Sequence, residues 1–232
     1  MRVGRMLAAR SYPTRWHDRA IDPISIETRR GTARAHLTAP PAPAPVRGAL
    51  VLGHGAGGGV GAPDLQAARR AGLAAGYAVA LVEQPYRVAG RRAPPPAAHA
   101  DEAWVDVVTA LRADRARMLA GGLPLVTGGR SFGARVACRT AAAVRAAGVL
   151  CLAFPLVPPA GAGPTRRLPP SRLPELEAVP VPLLVVQGRS DRFGLPPQAP
   201  GRTVALVDGD HSLRSAADAV AAEVEAWLLA LH

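Results

Sequence analysis

The sequence predicts an α/β fold: one domain on a doubly wound, mostly parallel sheet. Three observations carry that prediction. Short apolar runs recur from residue 49 onward, namely "ALVLGHG", "YAVALVEQP", "LPLVTGG", "AGVLCLAFP", "VPLLVVQG" and "TVALVDG", most ending in glycine, proline or aspartate. Continuous runs of that length are what strands buried on both faces of a parallel sheet require. Helical patterns lie between several of them, which implies right-handed crossovers with helices on both faces. The length of 232 residues suits a single sheet-based domain with a sizeable core, and no internal repeat divides it.

Taken in order, residues 1–20 carry arginines but lack an apolar stretch long enough for a secretory signal, so they are expected as a loose extension. The single domain then spans residues 21–232. Two alternating segments, residues 24–27 and 32–37, flank "TRRG" and read as a hairpin. "TAPPAPAPVRG" follows as a stiff connector, because proline fixes the backbone and removes donors. Residues 63–75 present Leu65, Ala68 and Leu73 at helical spacing, and residues 98–120 present Trp104, Val108, Leu111 and Met118. Residues 131–147 are mostly alanine, a strong helix former. Residues 212–231 place Leu213, Val220, Val224, Trp227 and Leu231 near one stripe, predicting a last helix. Residues 155–181 are rich in proline and charge. They predict no long helix and are too short for an inserted lid domain, which leaves an open site.

The formal charge of +11 would ordinarily suggest nucleic acid or an anionic membrane. Here every basic residue is arginine, the arginines are scattered, and only 4% of residues are aromatic, so base-stacking platforms are scarce. An arginine-rich solvated surface is the better reading, with no nucleic-acid partner. No apolar run reaches the length of a membrane span, so no membrane partner is expected either. Cys138 and Cys151 give neither a zinc spacing nor a disulfide framework; they read as small apolar core residues of a cytoplasmic protein. The sequence carries no signal for an oligomeric state.

At the end of "LPLVTGG" stands Gly129-Arg130-Ser131-Phe132-Gly133, a G-x-S-x-G pattern. With 24 glycines in the chain, each of the seven serines has about a one in a hundred chance of such flanks, so context must decide. The context is a strand before Ser131 and a helix after it, the sharp turn that exposes a nucleophilic hydroxyl at a helix N-terminus. A serine hydroxyl needs a base within hydrogen-bond reach. Of the six histidines, His17 and His36 precede the parallel strands, His99 opens a helix, His54 sits in a glycine loop and His232 ends the chain. His211, in "VDGDHSL", follows the last strand and completes the chain order serine, acid, histidine.

Between the two, Asp191 in "RSDRFG" stands at a strand's carboxyl end and would orient the imidazole. Asp208 and Asp210 compete for that role, although turn formation or helix capping is the ordinary reading of carboxylates so close to His211. "GHGAGGG" after the first parallel strand is placed to supply oxyanion donors, with the Ala56 and Phe132 amides as the candidates. The rival readings of that loop are weaker. A phosphate cradle of the Walker type needs a lysine, and the chain has none; a dinucleotide loop lacks the expected acidic partner except at Glu83.

In this order "GHGAGGG", "GGRSFGARVA", "CLAFPLVPP", "VQGRSDRFG" and "GDHS" resemble the small, lidless bacterial α/β-hydrolases related to dienelactone hydrolases. The resemblance spans residues 46–231 and implies the α/β-hydrolase fold, a Ser131, Asp191 and His211 triad, and no cofactor or metal. Dienelactone hydrolases use a cysteine nucleophile, so their substrate does not carry over to a chain with Ser131. Relatives tend to carry Lys-Ser-Met-Gly-Gly at the nucleophile and a histidine in the "PLVPP" loop, where this chain has Arg130, Phe132, Ala134 and Val157. Those departures bear on the rim of the site and on substrate range.

The expected function is therefore a serine hydrolase acting on a small-molecule ester or related acyl bond. Some eukaryotic relatives look like subunits of larger assemblies, so a catalytically silent scaffold is the second reading. Loops expected at the strands' carboxyl ends carry Arg87, Arg91, Arg92, Arg166, Arg167 and Arg172. The first three are the candidates for gripping an anionic substrate.

Overall fold

The computed structural model describes residues 23–40, 45–113, 122–158 and 170–231. Residues 1–20, His17, Arg166, Arg167, His232 and the end of the helix expected to residue 120 lie outside them. Strands β1 (Ile24–Thr28) and β2 (Gly31–Thr38) form the expected antiparallel hairpin. β2 also pairs antiparallel with β4 (Tyr77–Glu83). From β4 the sheet runs parallel through β3 (Gly48–Gly53), β5 (Leu125–Arg130), β6 (Gly148–Leu152), β7 (Leu183–Gly188) and β8 (Arg202–Val207). The order across the sheet is β1-β2-β4-β3-β5-β6-β7-β8.

That order has one reversal. The chain leaves β3 toward β4 on one side and later returns to β5 on the other, so the loops after β3 and β5 diverge. A crevice at the strands' carboxyl ends follows, which is where open α/β sheets place ligands.

Helices cover both faces, which is why the strands are apolar without alternation. On one face Leu50, Leu52, Val79 and Leu81 pack with α1 (Pro63–Ala74) and α6 (Ala217–Ala230), through Leu65, Val220, Val224 and Leu228. On the other, Ala49, Val51, Ala78, Ala80 and Val82 meet α3 (Ala97–Ala113) and α4 (Phe132–Thr140), through Trp104, Val107, Leu111 and Val136. The many small residues on that second face make room for the indole of Trp104. Two short helices, α2 (Pro85–Val88) and α5 (Leu173–Glu177), complete the set among the described residues. Among the described residues, α5 is the only helix between β6 and β7, and no lid domain is inserted there.

Two expected helices are shorter than their composition suggests. The alanine-rich helix ends at Thr140, not at residue 147. The Thr140 hydroxyl bonds back to the Val136 carbonyl at 2.7 Å, and Arg145 turns left-handed at φ 49° so that the chain can enter β6. The last helix starts at Ala217, because Leu213 is left-handed at φ 50° and a short 3₁₀ turn (Arg214–Ala216) intervenes. Among the described residues, no helix is long and apolar enough to cross a membrane.

Candidate active site

The glycines flanking Ser131 are required by packing. A Cβ at Gly133 would collide with the backbone of β3, 2.6 Å from the Gly53 carbonyl carbon and 2.9 Å from the His54 oxygen. One at Gly129 would collide with the Gly53 oxygen and lie 2.8 Å from the Gly133 carbonyl carbon. Side-chain-free residues on both sides let the turn press against β3. Ser131 itself sits at φ 51°, ψ −104°, a conformation an L-residue adopts only at a cost of about 1–3 kcal/mol. Its amide donates to Leu152 at 2.9 Å, which helps the surrounding sheet hold that geometry.

Three predicted residues from three separate loops meet in one hydrogen-bonded line. The Ser131 hydroxyl donates to His211 Nε2 at 3.0 Å, and His211 Nδ1–H donates to Asp191 Oδ2 at 2.8 Å. The tautomer follows from the partners: a carboxylate can only accept, so Nδ1 carries the proton and Nε2 is left to receive one. The Asp191 side chain is wholly buried, while His211 keeps 18% exposure. The competitors are engaged elsewhere. Asp210 Oδ1 accepts from the Ser212 hydroxyl and amide, which hold that carboxyl below its ordinary range, and Asp208 pairs with Arg189 at 3.2 Å.

Residues that sequence reasoning left unassigned build this line. Gln187, fully buried at the end of β7, donates from Nε2 to Asp191 Oδ2 at 2.8 Å, to the Phe154 carbonyl at 3.1 Å and to the Gly194 carbonyl at 3.0 Å. Its Oε1 accepts the Phe154 amide at 2.8 Å. Asp191 Oδ1 accepts the Phe193 amide at 2.9 Å, and the Phe193 ring stands edge-on to the imidazole at 4.4 Å between centroids. One signal in the sequence pointed to Gln187: an amide inside an apolar strand must find partners when buried.

The glycine loop after β3 runs beside the nucleophile, since a Cβ at Gly55 would lie 3.7 Å from the Ser131 Cβ. His54 anchors that loop. Its Nδ1–H donates to the Gly55 carbonyl at 2.9 Å and its Nε2 accepts the Gln84 amide at 3.1 Å, a pattern only the neutral ring can make; burial lowers its proton affinity in the same sense. The Tyr86 hydroxyl donates to the Ala56 carbonyl at 3.0 Å, and burial pushes its own pKa up to about 12. Ala56 is thereby held through its own carbonyl, next to Gly55, which His54 anchors. Phe132 opens α4, so its amide belongs to the helix N-terminus, whose N–H groups lack intrahelical partners.

Arg87 lies in α2 and donates from Nη1 to the Arg91 carbonyl at 3.4 Å, and Arg92 is exposed. Arg91 lines a cleft of about 440 Å³ together with Arg30, Tyr86 and His99. Ser131, Asp191 and His211 do not line it; Tyr86 bridges the two regions, its ring meeting that of Phe132 at 6.3 Å. Arg30 is already paired with Glu102. Arg172 turns inward to the Pro155 carbonyl at 3.0 Å.

Cys138 and Cys151 face each other across α4 and β6 with sulfurs 3.4 Å apart, both buried, and burial holds the Cys151 thiol well above its ordinary range. A thiol held protonated in that way is no rival nucleophile to Ser131. Among the described residues no cluster of three or more His, Cys, Asp or Glu side chains could hold a metal ion.

Comparison with known proteins agrees with this architecture. A lidless α/β serine hydrolase from Xanthomonas campestris superposes with a TM-score of 0.64 at 18% identity, covering 88% of this chain and 94% of its own. Est1E from Butyrivibrio proteoclasticus superposes at 0.69 with 15% identity, covering 91% and 99%. A hyperthermophilic esterase from Pyrobaculum calidifontis superposes at 0.61 with 18% identity, covering 94% and 88%. No curated protein sequence matches the chain. The sequence model of an alpha/beta hydrolase domain matches residues 46–227. The chain belongs to the alpha/beta hydrolase family.

Proposed function

We propose that this protein is a serine hydrolase that cleaves an ester or related acyl bond of a small molecule, with Ser131 as nucleophile, His211 as base and Asp191 as the group that orients it. The observation that carries the reading is the line from the Ser131 hydroxyl through His211 to buried Asp191, at 3.0 and 2.8 Å, on a strained turn at a helix N-terminus. The serine hydrolases and esterases among its structural neighbours support the same reading.

In the proposed cycle, Ser131 Oγ bonds to the acyl carbon while its proton passes to His211 Nε2, and the carbonyl electron pair moves onto oxygen. The amides of Ala56 and Phe132 stabilise that oxyanion. When the carbonyl re-forms, the alkoxide leaves and takes the proton from Nε2, leaving the acyl group on Ser131. Water then gives a proton to His211 and attacks the acyl carbon, and the serine oxygen leaves with that proton. Asp191 remains ionised throughout, stabilising the imidazolium. Every proton and electron pair moves among Ser131, His211, water and the ester, so the proposal includes no cofactor.

Arg87, Arg91 and Arg92 are proposed to draw anionic substrates to this edge, supported by a cleft lining that includes Arg91 and no acidic side chain. A cytoplasmic location belongs to the same reading and rests on cysteine usage.

Hydrolysis of p-nitrophenyl acetate by the wild type and by Ser131→Ala tests the proposal. Loss of activity to background in a folded alanine variant supports it, and retained activity overturns it. A folded wild type inert to esters and to acylating probes would favour the scaffold reading.

A further inference from the structure

We infer that Arg130, anchored on the buried carboxylate of Asp64, is a positioning residue: its guanidinium holds the backbone carbonyl of His211 and so sets the imidazole over Ser131. The inference rests on the serine-hydrolase reading for its kinetic consequences, though its structural content stands without it.

Arg130 is the last residue of β5 and immediately precedes Ser131. The sequence reading placed it at the rim, but its side chain is only 19% exposed and turns inward. Nε lies 2.9 Å from Asp64 Oδ2, and Nη2 donates to the His211 carbonyl at 3.1 Å. Nη1 occupies the space beside Gly55, where a Cβ would lie 2.8 Å from it. One planar group therefore touches the loop after β3, the start of α1 and the loop after β8. Those segments and the Ser131 turn carry the proposed oxyanion donors, nucleophile and base.

Asp64 gives this fork a fixed base. It sits in the first turn of α1 with no exposed surface, and its Oδ1 accepts the Leu65 amide at 2.9 Å. Oδ2 has no aligned hydrogen-bond donor, so Arg130 acts on it as a neighbouring positive charge. Burial raises the proton affinity of this carboxyl, and the adjacent guanidinium opposes that rise. Removing the charge at residue 130 would leave the carboxylate buried and unpaired, which is strongly destabilising.

The His211 end needs such a hold. It lies between Gly209, at φ 155°, and Leu213, at φ 50°, on a loop of sharp turns. The Asp191 bond fixes the imidazole at Nδ1, while Arg130 fixes the backbone to which the imidazole is attached. With both ends held, Nε2 faces Ser131 without having to search. A lysine at this position could keep a positive charge beside Asp64, but a single ammonium lacks the planar fork that reaches two targets in different directions.

Arg130→Lys, Arg130→Met and Asp64→Asn, each compared with wild type, separate holding the fold from holding the base. Thermal melting, kcat and KM for p-nitrophenyl acetate are measured, together with the downfield proton resonance of the His211–Asp191 hydrogen bond. Arg130→Lys is expected to melt close to wild type, to lose about 10- to 100-fold in kcat with KM within about twofold, and to show a broadened or absent resonance. Arg130→Met and Asp64→Asn are expected to melt lower. Wild-type kcat and an intact resonance in Arg130→Lys would overturn the inference, as would a loss confined to KM. If the wild type hydrolyses nothing, the functional reading fails on its own. The resonance then decides the positioning role: loss in Arg130→Lys upholds it, and retention overturns it.

Discussion

Gln187→Leu removes the side chain that the structure places behind the acid. The substitution keeps the volume roughly constant and deletes four contacts: to Asp191 Oδ2, to the amide and carbonyl of Phe154 and to the Gly194 carbonyl. Phe154 has no exposed surface, so its amide is left without a partner at a cost of about 1–3 kcal/mol. The bond to the Asp191 carboxylate contributes about 1.5–3 kcal/mol more, as hydrogen bonds to charged groups do. Together these give about 2.5–6 kcal/mol, which in a chain of this length lowers the melting temperature by roughly 5–25 °C. Freed on that side, the carboxylate can rotate away from His211, and kcat is expected to fall by about 10- to 100-fold, in the range of outer-shell substitutions. Thermal melting and the kcat for p-nitrophenyl acetate measure the two effects. Gln187→Glu is the companion variant, since it keeps the shape but turns an acceptor toward Asp191, and it is expected to lose at least as much kcat. A melting loss with unchanged kcat would refute the claim that Gln187 holds the acid. Unchanged melting would refute its hydrogen bonds altogether.

Two further predictions concern the acid and the arginines. Asp191→Asn should cost roughly 10⁴-fold in kcat by favouring the wrong imidazole tautomer, whereas Asp210→Asn should cost far less because Asp210 binds Ser212; the reverse ranking would exchange their roles. For an ester bearing a carboxylate, kcat/KM should fall steeply with added salt while a neutral ester of matched size does not respond, and Arg91→Ala with Arg92→Ala should flatten that slope. Equal salt responses for the two esters would leave these arginines as surface.

Much of the architecture was legible because burial on both faces leaves a plain mark: β3 and β6 are apolar throughout, β7 is apolar but for Gln187, and every residue of the three is buried. The hairpin was legible from its alternation and its turn. The order of Ser131, Asp191 and His211 pointed to residues that the structure brings within hydrogen-bond distance. What escaped were features set by partners distant in the chain. Propensity extends the helix after Ser131 to residue 147, but the need to enter β6 ends it at Thr140. Arg130 next to a nucleophile reads as a rim residue until Asp64, 66 positions earlier, is found beneath it. Gln187 announces only that it needs partners, and nothing local says that one of them is Asp191. The reversal of β3 and β4 in the sheet, which opens the crevice, is likewise a property of packing.

The most direct test of the central claim is covalent. A fluorophosphonate reacts with a serine activated by a neighbouring base, and mass mapping of the digest identifies the modified residue. The account predicts stoichiometric modification of the peptide containing Ser131, absent in Ser131→Ala. Modification of a different residue, or none on folded wild-type protein, would contradict it.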